Sequence, residues 1–189
     1  MGPPSMLFSE RLCERSSDPD FQEIRCKMVE SLLAGFSSSF PTIIFRSELG
    51  ISIINAQAVT TTAGREVKLY GGLAFHPKLS FHSMALVLLH EVGHHLSTGC
   101  RSPFDISLAC ECEADYWSVT EGADTLKRTS LQPLRIRDAI EELDRVISLE
   151  ISAEQKMEKR RPGCWSGYWP ARKGALLKQI RCSGFCANS

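Results

Sequence analysis

Apolar residues at helical spacing mark several segments of the chain. Between residues 18 and 36, Phe21, Ile24 and Met28 recur every three to four positions, which is the period of an amphipathic helix. The three serines at residues 37–39 are expected to end this helix. Three later segments are also predicted to be helical, and they lie at residues 79–97, 104–122 and 133–158.

Three shorter segments carry the composition or the period of β-strands. Residues 42–45 are rich in β-branched and aromatic side chains, and a short strand is expected at residues 51–55. In residues 67–75 apolar and polar positions alternate, which is the period of a strand with one buried face. Strands and helices are thus both expected in this chain.

Length and composition agree with a single domain over residues 1–189. Hydrophobic residues make up 43% of the chain, enough for one sizeable core. We expect residues 1–17 to be an N-terminal extension and the Cys- and Trp-rich residues 162–189 to be a tail packed on the body. Lys plus Arg equals Asp plus Glu at 22 each, so no net charge draws the protein to nucleic acid. The apolar run at residues 84–89 is far too short to span a bilayer, so no integral membrane segment is expected.

The eight cysteines bear on the cellular compartment. None stands in a Cys-x-x-Cys pair, which speaks against a thioredoxin-like site. Disulfide bonds in an extracytoplasmic protein, periplasmic or secreted, are the favoured interpretation, with a bridge involving Cys100. The alternative is a cytoplasmic protein with buried free thiols, and no signal peptide is visible at the N-terminus.

The chemistry is concentrated in the pattern His-Glu-x-x-His, formed by His90, Glu91 and His94. On a helix, residues four apart lie on the same face, so both imidazoles can reach one metal ion. Zinc lowers the pKa of a water molecule, and a neighbouring carboxylate can take the proton as that water attacks a carbonyl. The pattern therefore predicts a hydrolytic site for one Zn²⁺ ion, the alternative being an exposed helix face with unrelated residues.

A second pair of acidic residues, Glu111 and Asp115, follows 17 residues after His94. A catalytic zinc ion needs a third protein ligand, and a carboxylate from the next helix fits that role. Asp115, one turn after Glu111, can accept the free N–H of a histidine ligand and fix its tautomer. Glu113 points to the opposite face of such a helix. In isolation the pair would indicate only a solvated acidic face.

Together these motifs resemble those of the gluzincin metallopeptidases. Within them the chain is most similar to soluble relatives of the CAAX prenyl protease and HtpX peptidase group, whose members carry an Asn-Ala segment, an edge strand, His-Glu-x-x-His and Glu-x-x-Ala-Asp. The matching stretches here are Asn55-Ala56, residues 67–75, residues 90–94 and residues 111–115. The resemblance implies an α+β, zincin-like fold with a small mixed sheet and an edge strand over the cleft. In this fold a metal-binding helix is followed by a ligand helix and a long C-terminal helix. It also implies Glu91 as general base and His90, His94 and Glu111 as zinc ligands.

In gluzincins the edge strand borders the cleft and pairs with an extended substrate. The resemblance therefore implies that Tyr70, Gly71, Gly72 and Leu73 form the substrate edge strand. The two glycines would allow a peptide backbone to approach closely. The alternative is that they form a bulge or a turn.

Gluzincins also use a downstream side chain to stabilise the oxyanion of the tetrahedral intermediate. Related peptidases have a His-Pro segment followed by Arg, whereas this chain has Tyr168, Trp169 and Pro170 before Arg172. Tyr168 or Arg172 is thus the candidate for this catalytic role. The alternative is an aromatic cluster that packs the tail onto the body.

These features predict a zinc-dependent endopeptidase that acts on a peptide or protein substrate without a covalent intermediate. The alternative is a zinc-binding protein without protease activity, such as a binding module, a sensor or an immunity factor. Glu91 favours the enzyme, because a purely structural zinc site does not need a general base.

Overall fold

The structure is a computed structural model that describes residues 18–128, 133–150 and 169–180. Helix α1 spans Pro19–Ser39 and is capped by the Asp18 carboxylate, which accepts the Asp20 N–H at 3.0 Å. The expected end at residues 37–39 is wrong, because α1 continues through the serines. The Ser39 hydroxyl donates to the Gly35 carbonyl at 2.7 Å, so this serine bonds within the helix.

Three strands form one mixed sheet in the order β1-β3-β2. Strand β1 (Ile43–Glu48) is parallel to β3 (Gly64–Tyr70), and β2 (Ala56–Thr61) is antiparallel to β3. The mixed α+β character is thus confirmed. A strand is expected at residues 51–55, but β2 begins only at Ala56. The side chain of Ala56 is fully buried, yet it is too small to give a strong hydrophobic signal in the sequence.

The end of β3 also differs from the expectation for residues 67–75. The strand stops at Tyr70, and the chain forms a short helix, α2 (Gly71–Ala74). A Cβ on Gly71 would lie 2.9 Å from the Ile51 carbonyl oxygen, and one on Gly72 would lie 2.6 Å from the Ile54 nitrogen. The glycines therefore allow close packing of α2 on the preceding loop.

The predicted substrate edge strand at Tyr70, Gly71, Gly72 and Leu73 is consequently wrong. Within the described residues β3 is the central strand, with β1 on one side and β2 on the other. Residues 71–74 are buried in a helical turn. The edge strand next to the helix that carries His90 and His94 is β2.

Helix α3 spans Phe81–Leu96 and is buried over nearly its whole length, as its apolar sequence predicts. The Ser80 hydroxyl caps its N-terminus by accepting the His82 N–H at 3.2 Å. A second acceptor comes from α6 (Ile136–Glu150), because the Glu142 carboxylate accepts the Ser80 N–H at 2.8 Å. A carboxylate at this end is stabilised by the helix dipole, and it ties α6 to α3.

The segment after α3 is not helical until residue 111. Helix α4 (Glu111–Trp117) continues through a π-helical turn (Ser118–Gly122) into α5 (Ala123–Lys127). Residues 100–110, expected in part to belong to the ligand helix, instead form a hairpin in which Arg101 bridges Ala109. This hairpin separates α3 from α4.

The last described helix, α7 (Trp169–Lys178), packs on α6 and α4. The Asp144 carboxylate on α6 accepts the Trp169 indole N–H at 2.9 Å and contacts the Lys173 ammonium at 2.6 Å. This anchor fixes the rotation of α7 about its own axis. It also places Arg172, between the two anchored residues, toward α4.

Candidate metal centre

The two histidines of the His-Glu-x-x-His pattern meet as the helical spacing requires. Their Nε2 atoms are 3.0 Å apart, and both rings are almost completely buried. Glu111, the first residue of α4, lies against both, with Oε2 3.2 Å from His90 Nε2 and Oε1 3.5 Å from His94 Nε2. The structure therefore brings together the three predicted ligands, His90, His94 and Glu111.

The spacing of these donor atoms fits a zinc ion. Bonds of 2.0–2.1 Å in a tetrahedral site place neighbouring ligand atoms about 3.3 Å apart, and the three distances above lie close to that value. Glu111 Oε2 is buried and makes no hydrogen bond within the part of the chain that the structure describes, although it forms an ion pair with Arg172 Nη1 at 3.0 Å. A buried carboxylate whose two oxygens face two ring nitrogens is the kind of donor that a divalent cation satisfies. His90, Glu91 and His94 also offer ligand atoms within 4.8 Å of one another.

The second ring nitrogen of each histidine, Nδ1, also has a hydrogen-bond partner. His94 Nδ1 is 2.7 Å from the Ala109 carbonyl oxygen, and His90 Nδ1 is 2.9 Å from Asp115 Oδ1. Each Nδ1 therefore carries the proton, which in the neutral ring leaves the Nε2 lone pair for a metal. Asp115 thus lies where the sequence predicted it, behind a histidine ligand.

Arg172 reaches this cluster from α7. Its Nε and Nη2 atoms each lie 2.7 Å from an oxygen of Asp115, and its Nη1 lies 3.0 Å from Glu111 Oε2. All three guanidinium nitrogens thus contact carboxylates of α4, and we infer that Arg172 holds these carboxylates in position. Its predicted catalytic role in stabilising an oxyanion stays a prediction. Tyr168, the other candidate, lies outside the described residues.

Charge and burial shift the pKa values of this cluster strongly. Burial alone would lower the pKa of His90, but the Asp115 carboxylate outweighs burial and raises it to about 9. Burial lowers the pKa of His94 to about 4. Burial opposes ionisation of Glu111 and Asp115, yet the charge of Arg172 lowers the pKa of both. Without a cation the pair of histidines thus carries one proton more than two neutral rings at neutral pH, and a metal must displace this additional proton.

Glu91 lies between the histidine pair and strand β2. It is fully buried, and its Oε2 accepts the Ala58 N–H of β2 at 2.7 Å. This bond orients the carboxylate and shows that the outer edge of β2 faces the metal centre, because the Ala58 amide points away from β3. The general-base candidate is thus held beside the two histidines of its own helix.

Tyr70 lies near this carboxylate but takes no part in an edge strand. Its hydroxyl donates to Gln57 Oε1 at 2.7 Å. Burial, followed by the carboxylates of Glu48 and Glu91, raises the pKa of Tyr70. Its hydroxyl therefore stays protonated in the neutral range.

Sequence reasoning missed β2 as the strand that borders the site. The available signal was Asn55-Ala56, because this pair stands at the start of β2 and belongs to the quoted family pattern. Along β2 the inward side chains are Ala56 and Ala58, both buried, and they alternate with larger residues. Alanines have low β-propensity, so the period of this strand is easily overlooked.

Two further residues near the site lie outside the group of candidate ligands. His95 Nε2 is 2.9 Å from the Glu66 carbonyl oxygen of β3, which places its ring away from the histidine pair. Glu113 is buried on the other side of α4, where it accepts the Ser97 hydroxyl at 3.3 Å. The two glutamates of α4 therefore have different environments, and only Glu111 lies among the candidate ligands.

Three cysteines lie close to the metal centre. Cys110 and Cys112 are buried, and Cys100 packs against them. None of the three is a free thiol, whereas the half-buried Cys26 on α1 is one. The predicted bridge involving Cys100, and the export that it implies, stay predictions because the other four cysteines lie outside the described residues.

In residues 18–128, 133–150 and 169–180, no helix has both the length and the apolar character needed to cross a membrane.

The chain was also compared with known proteins. The gluzincin resemblance rests on the quoted motifs alone and stays a prediction. Comparison with protein-family models, with curated proteins and with solved structures finds no match for this chain.

Proposed function

We propose that this protein is a zinc-dependent endopeptidase with a zincin-like fold. The observation that carries the proposal is the close grouping of His90, His94 and Glu111 around one point, with the Glu91 carboxylate fixed beside them. The three ligands would hold one zinc ion. Three protein ligands leave a position for water, as hydrolytic zinc sites require.

The chemistry assigned to the chain's own groups follows from their positions. When bound, zinc would lower the pKa of a coordinated water molecule and polarise the scissile carbonyl. Glu91 takes the proton of the attacking water on Oε1, because Oε2 already accepts the Ala58 N–H. The same carboxyl group then delivers the proton to the leaving amine nitrogen. Asp115 and the Ala109 carbonyl keep both imidazoles in the required tautomer.

The proposed substrate is an extended peptide. Strand β2 has β3 on one side, and its Ala58 amide, directed away from β3, meets Glu91. A peptide added along this outer edge would bring its backbone next to the carboxylate by β-augmentation. The substrate strand assigned from the sequence to residues 70–73 is thereby replaced by β2.

A second candidate function is zinc binding without hydrolysis. The burial of the centre favours it, since His90 and His94 are 3% and 2% exposed, and structural zinc sites are closed to solvent. The two candidates differ in the role of Glu91. Hydrolysis requires its carboxylate, whereas a structural site needs only the ligands.

The test compares Glu91→Gln with Glu113→Gln, a buried glutamate that contacts Ser97 instead of the ligands. Zinc content and cleavage of a peptide library are measured for both variants and the wild type. We expect Glu91→Gln to keep one zinc ion and to lose turnover by at least about a hundredfold. Glu113→Gln should keep the zinc ion and the turnover of the wild type. Cleavage by Glu91→Gln would refute the mechanism, and a zinc-loaded wild type that cleaves nothing would favour the second candidate.

A further inference from the structure

The hairpin at residues 100–110 is rigidly connected to the metal centre. Its base is closed by the bridge between Arg101 and Ala109 and by the Cys110 N–H, which donates to the Cys100 carbonyl at 2.8 Å. Ala109 also donates its N–H to the His94 carbonyl at 2.6 Å. Because the same residue accepts the ring N–H of His94, the hairpin and the candidate ligand are fixed relative to each other.

The tip of the hairpin rests on strand β2. Asp105 Oδ1 accepts both the N–H of Ser107 at 2.9 Å and its hydroxyl at 2.6 Å. Since the Ser107 proton goes to Asp105, the Thr60 hydroxyl is the donor in the 3.0 Å bond to Ser107 Oγ. Thr60 is two residues beyond Ala58, a rise of about 7 Å along a strand. The tip therefore lies about two residues along β2 from the amide that holds Glu91.

This tip carries two exposed apolar side chains. Phe104 and Ile106 are 52% and 82% exposed, although the Asp105 turn between them is fixed by hydrogen bonds. The other large apolar side chains that are exposed in the described part of the chain lie on α1, β1, α7 or the segments after β1 and α7. Phe104 and Ile106 thus form an exposed apolar surface at the hairpin tip, beside strand β2. A fixed apolar surface loses little conformational entropy when a ligand covers it.

We propose that Phe104 and Ile106 are specificity-determining residues, and that they favour peptides with a large apolar side chain about two residues from the scissile bond. The inference rests on the proposed function, because it takes the outer edge of β2 as the place of the substrate. A peptide that pairs with β2 and is cleaved next to Glu91 reaches the hairpin tip after about two residues. There its side chain can cover the exposed ring and aliphatic chain.

The experiment profiles cleavage of a random peptide library by the zinc-loaded, full-length protein. The double variant Phe104→Ser/Ile106→Ser should lose about fivefold to tenfold of the preference for apolar over polar side chains at one position, a modest value for an apolar contact. Ile24→Ser is the control, because Ile24 is 61% exposed on α1, a helix that packs mainly on β1.

A third variant, Ile106→Lys, should shift the preference at the same position toward acidic side chains, a gain that misfolding cannot produce. The inference is overturned if the wild type cleaves peptides but the profile is the same in the double variant and in Ile106→Lys. It is also overturned if Ile24→Ser flattens the profile equally. A wild type that cleaves no peptide refutes the proposed function, and this inference with it.

Discussion

The contact between Asp115 and Arg172 allows a quantitative test of how the centre is held together. Asp115 accepts from His90 Nδ1 and receives two bonds of 2.7 Å from Arg172. The change Asp115→Asn keeps the size of the side chain but removes its charge. It also replaces one carboxylate oxygen with an NH₂ group, which cannot accept a hydrogen bond from Arg172 or His90. Arg172, which is 6% exposed, then keeps a charged partner only in Glu111.

Two effects of Asp115→Asn follow, and each has a magnitude. Breaking one side of a buried ion pair costs about 3–5 kcal/mol, and the remaining contact with Glu111 places this variant toward the lower value. Loss of the carboxylate behind a histidine ligand weakens zinc binding about 10–100-fold. The free energy of unfolding is measured by denaturant titration in the presence of a chelator. The zinc dissociation constant is measured by competition with a coloured chelator.

The double variant Asp115→Asn/Arg172→Met separates the ion pair from the other contacts of each residue. With both charges removed, neither of these two residues leaves the other as an unpaired buried charge, and Glu111 loses its contact with Arg172 just as it does in the Arg172→Met single variant. The double variant should therefore be less destabilised than the sum of the two single variants, by about 2 kcal/mol. Additive free energies, together with an unchanged zinc dissociation constant in Asp115→Asn, would refute the role that the contacts assign to this pair.

Three further predictions concern the same centre. Glu111→Ala should remove zinc during dialysis, whereas Glu113→Ala should retain it, and metal analysis of the two dialysed proteins checks the assignment of the ligand. Asp144→Asn should loosen α7, raising hydrogen exchange of its amides and weakening zinc binding several-fold, because the anchor of this helix is lost. Below about pH 9, zinc must displace the proton of His90, so zinc affinity should rise about tenfold per pH unit and level off above that pH. A chelator competition series from pH 6 to pH 10 measures this slope, and a flat profile would contradict it.

The candidate ligands could be predicted from the sequence because helical geometry links position to direction. His90 and His94 are four residues apart, and Glu111 and Asp115 repeat that spacing on α4, so each pair shares a face. The same reasoning turned Glu113 to the other side, where the structure places it against Ser97. The core position of α3 was also readable, since its apolar residues leave no polar face.

The strand that borders the centre was misassigned because tertiary contacts decide it. The alternation at residues 67–75 suggested one strand, but the close packing of Gly71 and Gly72 on the preceding loop ends β3 at Tyr70. Which of two neighbouring strands lies at the outside of a sheet depends on pairing order, and local periodicity does not contain that information. The order β1-β3-β2 is visible only in the structure.

The start of the ligand helix was misplaced for a similar reason. Residues 104–110 were expected to be helical, but Asp105 forms a turn with Ser107 and the Ala109 backbone pairs with His94. The bonds to His94 join residues 15 apart, so no local pattern predicts them. They keep the chain extended up to residue 110, and the helix can begin only at Glu111.

The balance of charge at the centre gives a reason for the whole arrangement. Glu91, Glu111 and Asp115 contribute three negative charges when ionised, and Arg172 contributes one positive charge. Without a metal ion, Arg172 and the proton on His90 together offset two of these three negative charges. One negative charge then remains without compensation inside the protein, which is energetically unfavourable. A divalent cation that displaces this proton offsets both remaining charges. A zinc ion alone would neutralise two carboxylates, so the charge of Arg172 allows the centre to contain a third. We infer that this additional carboxylate is Glu91, because hydrolysis needs Glu91 and metal binding does not.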